Sequence, residues 1–465
     1  MKLLLATYNL PPESYGGTEV YLESLTAELA RHGHSVELLA GSAAALPAGG
    51  PRFHLESGSC WDLPAWRLTL DGARSTMPDI YTTRCADLRA FWLEWLAQRG
   101  PDLLHLHGHS LTVSLSLMEA AAELRIPMVS TLHNVPSLCP RGDFLTWRGV
   151  VCDGRAELLK CIHCTTASRT NAMGGAMMAA ATPLLSLLPV PASSGWTPLR
   201  SALHYPALQR MHLESQRDML QIVTRWHVFS EWSRQALLLN GVSPERIVLL
   251  RHPHPSHSSH HSHASHSGPL RLGFFGRFNK VKGLAVLLDA IRRLPDAPLQ
   301  LEIYGKAQSP AEELVEAQVR EAAAADSRIL WRGRIPHSEQ PDTMGRLDVL
   351  VVPSLWIETG PLTVLEAFAA GVPVLGSDLS GINEWVRPDQ NGWLFPPGNG
   401  AALAEKIASL CANRSLLEGA RHFPAVDSAA VHAAGVMEIY ESALAASHER
   451  LDRRSLQESL PGERI

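Results

Sequence analysis

Short apolar segments alternate with amphipathic ones in two separate blocks of this chain. The first block begins with an apolar run at residues 3–8, an amphipathic stretch at 18–31 with leucines three and four residues apart, and an apolar run at 35–40. Because parallel strands are joined by crossover helices, this alternation predicts an α/β fold with parallel sheets covered by helices. The predicted strands are residues 3–8, 35–40, 102–107, 128–133, 271–275, 300–304, 329–331, 349–352 and 373–375.

The two blocks predict two domains, since 465 residues exceed what one hydrophobic core usually organises. Residues 251–269 lie between the blocks and carry seven histidines and many serines, which favours a flexible linker. A metal-binding tract is the alternative, although no carboxylate or cysteine accompanies the histidines. The predicted division is a first domain at 1–250, the linker, a second domain at 270–430, a C-terminal helix at 431–450 that packs back, and a polar tail at 451–465.

Composition limits the partners of the chain. Hydrophobic residues make up 45% and charged residues 19%, and the net charge of -5 gives no reason to expect a nucleic-acid partner. The most apolar segment, 172–190, is interrupted by prolines, so residues 165–220 predict a helical cap or a membrane-facing patch. The opening residues predict a buried strand rather than an export signal. We therefore expect a cytoplasmic protein, with peripheral contact at the inner face of a membrane.

The strongest candidate for a ligand site is the segment from Glu358 to Glu366, which reads ETGPLTVLE. Pro361 suits the first turn of a helix, and Gly360 lets a ligand approach the backbone. The N–H groups at a helix start bind anions such as phosphate. The two glutamates could then bind hydroxyls on two parts of one ligand, a sugar and a ribose. Ordinary carboxylates beside a helix are the alternative.

A second candidate is the segment GRFNKVKG at residues 276–283, between a predicted strand and a predicted helix. Arg277 can bind phosphate oxygens through its planar fork, and Lys282 supplies a point charge. The chain contains no Asp-x-Asp pair to hold a divalent cation. The two cations could therefore neutralise a diphosphate in place of a metal. A solvated basic helix start is the alternative.

Two weaker signals lie in the first block. Gly16 and Gly17 occupy the first strand-to-helix turn, where a glycine pair is common even without a ligand. His105, His107 and His109 alternate, and in a strand they would share one face. A metal site, a His107 that contacts a sugar, and purely structural histidines are the interpretations of that pattern.

Four of the seven cysteines are clustered in one irregular segment at about 134–170. They are Cys139, Cys152, Cys161 and Cys164. Four thiolates suit a tetrahedral structural zinc, an iron–sulfur cluster is one alternative, and independent thiols are another. The other three cysteines are predicted to be ordinary buried thiols.

These motifs, in this order, resemble glycosyltransferase family 4, whose members are retaining enzymes of the GT-B fold. The resemblance covers most of the chain and is most specific between Pro353 and Glu384, where two glutamates are separated by seven residues. It implies two Rossmann-like domains whose parallel sheets face each other across a cleft. The chain departs from the family at residues 251–254, which read RHPH where the family usually has an Asn-Gly pair.

The resemblance divides the candidate residues between two roles. The catalytic residues that it implies are His107, Arg277, Lys282 and Glu358. The donor-binding residues that it implies are Gly16, Gly17, Arg334, Gly360, Pro361, Leu362, Thr363 and Glu366. In this scheme the two cations bind the donor diphosphate, Glu366 the ribose and Glu358 the donor sugar, while His107 lies near sugar and acceptor and Arg334 near the base.

The resemblance also implies the reaction. A retaining hexosyltransferase would move a sugar from a UDP- or GDP-linked donor to a saccharide or lipid-linked acceptor, in surface polysaccharide or glycoconjugate synthesis. No cofactor is expected for catalysis, and a carboxylate nucleophile is not expected either. A non-catalytic sugar-nucleotide-binding protein and a sugar-nucleotide epimerase of GT-B shape are the alternatives.

Overall fold

The computed structural model describes residues 1–14, 16–47, 49–133, 138–191, 196–253 and 268–459. The chain forms two compact units. The first comprises Met1–Phe229, Ser233–Leu250 and Ala433–Ile465, and the second comprises Ser230–Trp232 and Arg251–His432. The division after Leu250 coincides with the predicted end of the first domain. Most of the predicted linker, residues 254–267, lies outside the described residues.

The first unit contains an eight-stranded sheet in the order β3-β4-β2-β1-β5-β6-β7-β8. All neighbours are parallel except β3 and β4, which form an antiparallel hairpin. The strands are β1 (Lys2–Thr7), β2 (Ser35–Ser42), β3 (Phe53–Cys60), β4 (Leu63–Leu70), β5 (Leu103–Leu106), β6 (Met128–Thr131), β7 (Arg225–Val228) and β8 (Ile247–Leu249). The central strands β1, β5 and β6 are almost wholly buried, as expected for parallel strands covered on both faces.

Helices cover this sheet and extend one end of the unit. They are α1 (Gly17–Arg31), α2 (Met77–Thr82), α3 (Ala86–Arg99), α4 (Leu115–Glu123), α5 (Leu158–Ala167), α6 (Ala172–Leu185), α7 (Pro198–Ile222) and α8 (Glu231–Leu239). The region predicted as a helical cap or membrane-facing patch is therefore helical, and it consists mainly of α6 and α7. No helix in the described parts of the chain combines the length and the apolar character needed to cross a bilayer.

The last helix, α15 (Ala429–Ser459), returns to the first unit. Val436, Ile439 and Tyr440 join a core cluster with Leu3, Leu5 and other residues of β1 and α1. A helix that packs back was predicted at 431–450. The helix continues to Ser459, into the stretch predicted as a polar tail at 451–465. Residues 460–465 lie outside the described part.

The second unit contains a six-stranded parallel sheet in the order β11-β10-β9-β12-β13-β14. Its strands are β9 (Leu270–Phe275), β10 (Leu299–Tyr304), β11 (Ile329–Gly333), β12 (Val349–Val352), β13 (Val374–Ser377) and β14 (Gly392–Phe395). Its helices are α9 (Leu284–Arg292), α10 (Pro310–Ala325), α11 (Gln340–Met344), α12 (Leu362–Ala369), α13 (Gly400–Ala412) and α14 (Ser415–Gly419). Renumbered from β9, the order is 3-2-1-4-5-6, that of dinucleotide-binding sheets.

Candidate active site

The strand order of the second unit reverses between β9 and β12. Ligands of open α/β sheets bind beyond the carboxyl ends of the strands at such a reversal. The loop after β9 carries Arg277 and Lys282, and the loop after β12 carries Glu358. The sequence motifs therefore come together at the place where this fold binds ligands.

Backbone contacts hold the two loops against each other. The N–H of Leu355 donates to the carbonyl of Val281 at 2.7 Å. Gly283 adopts a φ of +73°, and a Cβ there would lie 1.7 Å from the carbonyl oxygen of Pro353. Only glycine fits that position, so the close approach of the loops is built into the sequence.

The carboxylate of Glu358 is the centre of the resulting polar cluster. Its Oε1 accepts hydrogen bonds from Lys282 Nζ at 2.7 Å, Ser354 Oγ at 2.7 Å and Trp356 Nε1 at 3.1 Å. The backbone of Glu358 is fixed as well, because a Cβ on Gly381, whose φ is +87°, would lie 1.6 Å from the Glu358 carbonyl oxygen. All three donors reach one oxygen, and Oε2 accepts no hydrogen bond from the described residues.

Glu358 is ionised in this setting. Its burial opposes the charged form, but the charge of Lys282 and the hydrogen bonds from Lys282, Ser354 and Trp356 outweigh burial, and the pKa of Glu358 lies below its ordinary value. Such a carboxylate has one satisfied oxygen and one that can accept a hydrogen bond from a ligand hydroxyl.

Arg277 is oriented by a different carboxylate. Its Nη2 donates to Glu312 Oε1 at 2.8 Å, while the other Glu312 oxygen accepts the N–H of Gln308 at 2.8 Å. The Glu312 side chain is only 4% exposed, whereas that of Arg277 is 48% exposed. The buried anion on α10 thus fixes one side of the guanidinium, and the exposed part has further donors for an anion.

Glu366 lies on the second turn of α12, as predicted, and its carboxylate contacts the start of α11. Its Oε2 accepts a hydrogen bond from Gln340 Nε2 at 2.6 Å, and Gln340 begins α11. Arg334, the residue predicted near the base, is exposed directly after β11.

The turn between the two glutamates forms the start of α12. Pro361 is the N-cap residue rather than part of the first helical turn, and no side chain caps this helix end. Leu362 and Thr363 follow as the first two helical residues, and both are partly exposed, as is Gly360. A helix therefore starts at the predicted turn, and its binding of an anion stays a prediction.

The first unit has its own reversal of strand order, between β1 and β5. α1 begins at Gly17 with Gly16 as its N-cap, so the glycine pair lies at the predicted strand-to-helix turn. β5 ends at Leu106, which places His107 just beyond the strand. The expectation that the three alternating histidines share a strand face is wrong, because only His105 belongs to the strand.

The histidines instead form a buried hydrogen-bonded network. His105 Nδ1 lies 2.7 Å from the Tyr440 hydroxyl, and His105 Nε2 lies 2.7 Å from Thr131 Oγ1. The same threonine oxygen lies 2.9 Å from His227 Nδ1, and His227 Nε2 lies 2.9 Å from the carbonyl of Leu250. These contacts assign His105 a structural role that links β5, β6, β7 and α15.

His107 lies beside this network. Its ring is 3.9 Å from that of His105, and its Nδ1 is 3.0 Å from His133 Nε2. Burial, together with the nearby His105, His133 and His227, lowers the pKa of His107 well below its ordinary value, so the imidazole is neutral. Its Nε2 is buried without a hydrogen-bond partner among the described residues. A buried nitrogen without a partner can form a hydrogen bond with a ligand or a water.

Among the four clustered cysteines, Cys139 and Cys152 are within electrostatic reach of Cys161. Cys161 and Cys164 are on α5, and burial and the charges of Cys139 and Cys152 raise the pKa of Cys161 to about 11. In the parts of the chain that the structure describes, no group of three or more His, Cys, Asp or Glu side chains is arranged to hold a metal ion.

Several residues of the site were not predicted from the sequence. Ser354 and Trp356 complete the shell of Glu358, Glu312 orients Arg277, and His133 contacts His107. A search for donors near a carboxylate expected to be buried would have found Ser354 and Trp356, since both precede Glu358 in one loop. Glu312 and His133 are distant in sequence from their partners and gave no such signal.

Two protein-family models match the chain. Residues 16–252 match the model described as glycosyl transferase 4-like domain, and residues 257–422 match glycosyl transferases group 1. Together these two matches cover most of both units.

Curated relatives match parts of the chain. The phosphatidyl-myo-inositol mannosyltransferase of Mycobacterium leprae is 32% identical over 38% of this chain and 48% of that protein. The amylovoran biosynthesis glycosyltransferase of Erwinia amylovora is 32% identical over 45% of this chain and 54% of that protein. The match thus spans about half the length of these relatives.

Solved structures match over nearly the whole chain. The Anabaena protein HepE in complex with UDP has a TM-score of 0.57 and 16% identity, covering 98% of this chain and 100% of that one. Sucrose-phosphate synthase from Thermosynechococcus elongatus has a TM-score of 0.61 and 17% identity, covering 96% and 100%. At these identities the likeness concerns the fold.

Proposed function

This chain belongs to the GT-B glycosyltransferases of the family 4 type, and we propose that it transfers a sugar from a nucleotide diphosphate donor to a saccharide or lipid-linked acceptor. The observation that carries the proposal is the Lys282–Glu358 pair at the strand reversal of the second unit. It offers a cation for a diphosphate and an acceptor oxygen for a sugar hydroxyl within one rigid cluster.

In the proposed reaction, the acceptor hydroxyl oxygen attacks the anomeric carbon on the face from which the diphosphate leaves. The bond between that carbon and the phosphate oxygen breaks, and the acceptor proton passes to the leaving phosphate. Lys282 and the exposed side of Arg277 stabilise the negative charge that develops there. Glu358 orients the sugar through Oε2, and the main contribution of the protein is positioning. The configuration at the anomeric carbon is retained.

The donor contacts follow from the same unit. Glu366 binds the ribose hydroxyls, with Gln340 holding one carboxylate oxygen in place. Arg334 lies near the base, and the start of α12 from Gly360 to Thr363 faces the phosphate or sugar. The complex of HepE with UDP makes uridine the first base to test, with guanosine as the second. The names of the relatives support a polysaccharide or glycolipid acceptor.

A turnover assay tests this proposal. The full chain is incubated with UDP- and GDP-linked hexoses, with and without oligosaccharide or polyprenyl-phosphate-linked acceptors. We expect release of nucleoside diphosphate that depends on the acceptor, and a product with the donor's anomeric configuration by NMR. Acceptor-independent conversion of the donor sugar would instead identify an epimerase. Nucleotide-sugar binding without turnover across the acceptor panel would identify a non-catalytic binding protein.

The structural zinc stays a separate prediction. Cys161 is within electrostatic reach of Cys139 and Cys152, but the thiols would have to converge and lose their protons to bind a metal. Elemental analysis should find about one zinc per chain. Cys161→Ser should remove it, whereas Cys411→Ser, in the second unit, should leave it in place. A metal-free wild-type protein that stays folded would contradict the prediction.

A further inference from the structure

Helix α6 exposes its large apolar side chains to solvent. Met173, Met177 and Leu184 are 70%, 68% and 77% exposed, and their spacings of four and seven residues put them on one side of the helix. Leu187, two residues beyond the end of α6, is 69% exposed. A surface helix normally turns such a stripe toward the core, so α6 has the opposite arrangement.

Small and polar residues attach α6 to the protein instead. Gly175 is buried, and a Cβ on it would lie 2.7 Å from the carbonyl oxygen of His163 on α5. Thr182 is also buried, and its hydroxyl donates to the carbonyl of Met178. The outward direction of the large side chains is therefore fixed by packing and does not result from a loosely attached helix. The next helix, α7, adds Leu199 at 80% and Leu203 at 44% exposure.

Charge is arranged around this surface in a distinctive way. Residues 170–199 contain no Asp, Glu, Lys or Arg, and Arg169 and Arg200 stand at the two ends. The guanidinium of Arg200 lies 5.2 Å from the ring centroid of Trp196. The guanidinium of Arg169 lies 5.9 Å from the ring centroid of Tyr205. Between residues 138 and 200 the chain has six Lys or Arg and three Asp or Glu, although its net charge is -5.

We propose that α6 and the start of α7 form a contact surface for anionic membranes. Exposed Met and Leu side chains would enter the boundary between headgroups and acyl chains, while arginines and aromatic rings at the edge contact the headgroups. The 14 residues of α6 rise about 21 Å, less than the hydrocarbon thickness of about 30 Å, so the helix lies along the surface.

A lipid surface explains the pattern better than a second protein. Non-obligate protein–protein interfaces are, taken as a whole, about as apolar as the remaining surface. Here thirty consecutive residues lack charge, and the positive charge is confined to the ends. Attachment goes beyond the proposed sugar transfer and does not depend on it, because vesicle binding needs neither donor nor acceptor.

Vesicle flotation of the full chain tests the proposal. We expect the wild type to float with vesicles of phosphatidylcholine containing about a third phosphatidylglycerol, and far less with phosphatidylcholine alone, because anionic headgroups attract the arginines. Met177→Glu and Leu184→Glu should each weaken binding about tenfold or more, since each withdraws a large apolar side chain from lipid. Arg169→Gln should weaken binding to the anionic vesicles about fivefold.

Leu314→Glu is the matched control, because Leu314 is 73% exposed on α10 of the second unit. It should bind vesicles like the wild type, and all variants should keep the wild-type melting temperature because the altered side chains are exposed. Failure of the wild type to float, or equal losses for Leu184→Glu and Leu314→Glu, would overturn the proposal. So would a stable wild-type dimer in lipid-free solution that Met177→Glu and Leu184→Glu convert to a monomer.

Discussion

The sheets of both units reverse their strand order, but the side chains at the two reversals differ in charge. In the second unit, the loops after β9 and β12 bring a lysine and an ionised glutamate into direct contact, Lys282 and Glu358. In the first unit, the loops after β1 and β5 bring glycines and a neutral histidine, His107. The reversal in the second unit thus carries a paired lysine and glutamate, whereas the loop after β5 in the first unit carries an uncharged imidazole.

This difference matches the two kinds of ligand that a sugar transferase must hold. A diphosphate carries charge, which grows as the sugar bond breaks, so fixed cations stabilise it. An acceptor hydroxyl is neutral, and a buried uncharged imidazole with an unpaired Nε2 can hydrogen-bond to it without strong solvent competition. The comparison therefore supports the proposal that the second unit binds the donor and that the first contacts neutral groups.

The largest effect that we expect is on turnover when Lys282 is replaced. Lys282→Met should lower kcat about 10²- to 10³-fold with a small change in the donor KM, because the charge acts mainly in the transition state. Lys280→Met is the matched control, since Lys280 lies exposed in the same turn and its side chain forms no hydrogen bond or ion pair with the described residues. Steady-state kinetics of both variants measure the effect. A Lys282→Met enzyme with wild-type kcat would remove the charge difference as the basis of the comparison.

Acid should weaken the first unit before the second. Burial first, and neighbouring histidines second, lower the pKa values of His105, His107 and His109, the last to about 4. Below about pH 6.5 the unfolded chain binds protons at these sites that the folded chain does not. The free energy of unfolding therefore decreases as the pH is lowered. From pH 7 to 5.5 His109, with its pKa of about 4, contributes a loss of about 1.2 kcal/mol, and His105 and His107 add losses of the same sign.

The second unit should respond at lower pH. Because the pKa of Glu358 is lowered, the stability that its charge contributes is lost only below about pH 4.5. His432, with a pKa of about 4, belongs to this unit, and it lowers stability in acid as each of these histidines of the first unit does. Hydrogen exchange, corrected for its intrinsic pH dependence, can follow β5 and β9 separately. Between pH 7 and 5.5, protection should fall more in β5. Equal losses in the two strands would contradict this.

The sequence predicted the strands of the second unit more completely than those of the first. Short apolar runs identified five of its six strands, and only β14 was missed. In the first unit, β3 is mostly exposed and contains several polar residues. The turn between β3 and β4 consists of Trp61 and Asp62, both with positive φ. These are not the usual Asn-Gly or Asp-Gly turn residues, so the hairpin gave no local signal.

The candidate site was predictable where its residues are close in sequence. Glu358, Gly360 and Glu366 lie in one short segment around a helix start, and the physics of such a start suffices to single them out as candidates. Contacts such as Arg277–Glu312 and His105–Tyr440 join residues far apart in the chain. They depend on how helices pack on the sheet, and periodicity carries no information about such pairs.

A smaller effect is expected at Glu366. Glu366→Ala should weaken binding of a nucleoside diphosphate about 10- to 100-fold, because a hydrogen bond to a charged group contributes about 1.5–3 kcal/mol. Glu339→Ala, an exposed neighbour of Gln340, is the control and should bind normally. Calorimetry measures both affinities. Unchanged affinity in a folded Glu366→Ala protein would place the ribose elsewhere.

The smallest effect concerns the neutral network of the first unit. Tyr440→Phe keeps the ring that packs edge-on to His105 at 5.3 Å but removes the hydroxyl bonded to Nδ1. Because this leaves a buried nitrogen without its partner, the variant should lose about 1 kcal/mol of stability. Thr131→Val removes the partner of the other His105 nitrogen. Since both changes act on one ring, the double variant should deviate from the sum of the single losses by at least about 0.5 kcal/mol. Denaturant unfolding, with hydrogen exchange in β5 as the local readout, measures all three proteins. Simple additivity would mean that the histidines pack independently, and the first unit would then lack the connected neutral network that distinguishes it from the Lys282–Glu358 cluster.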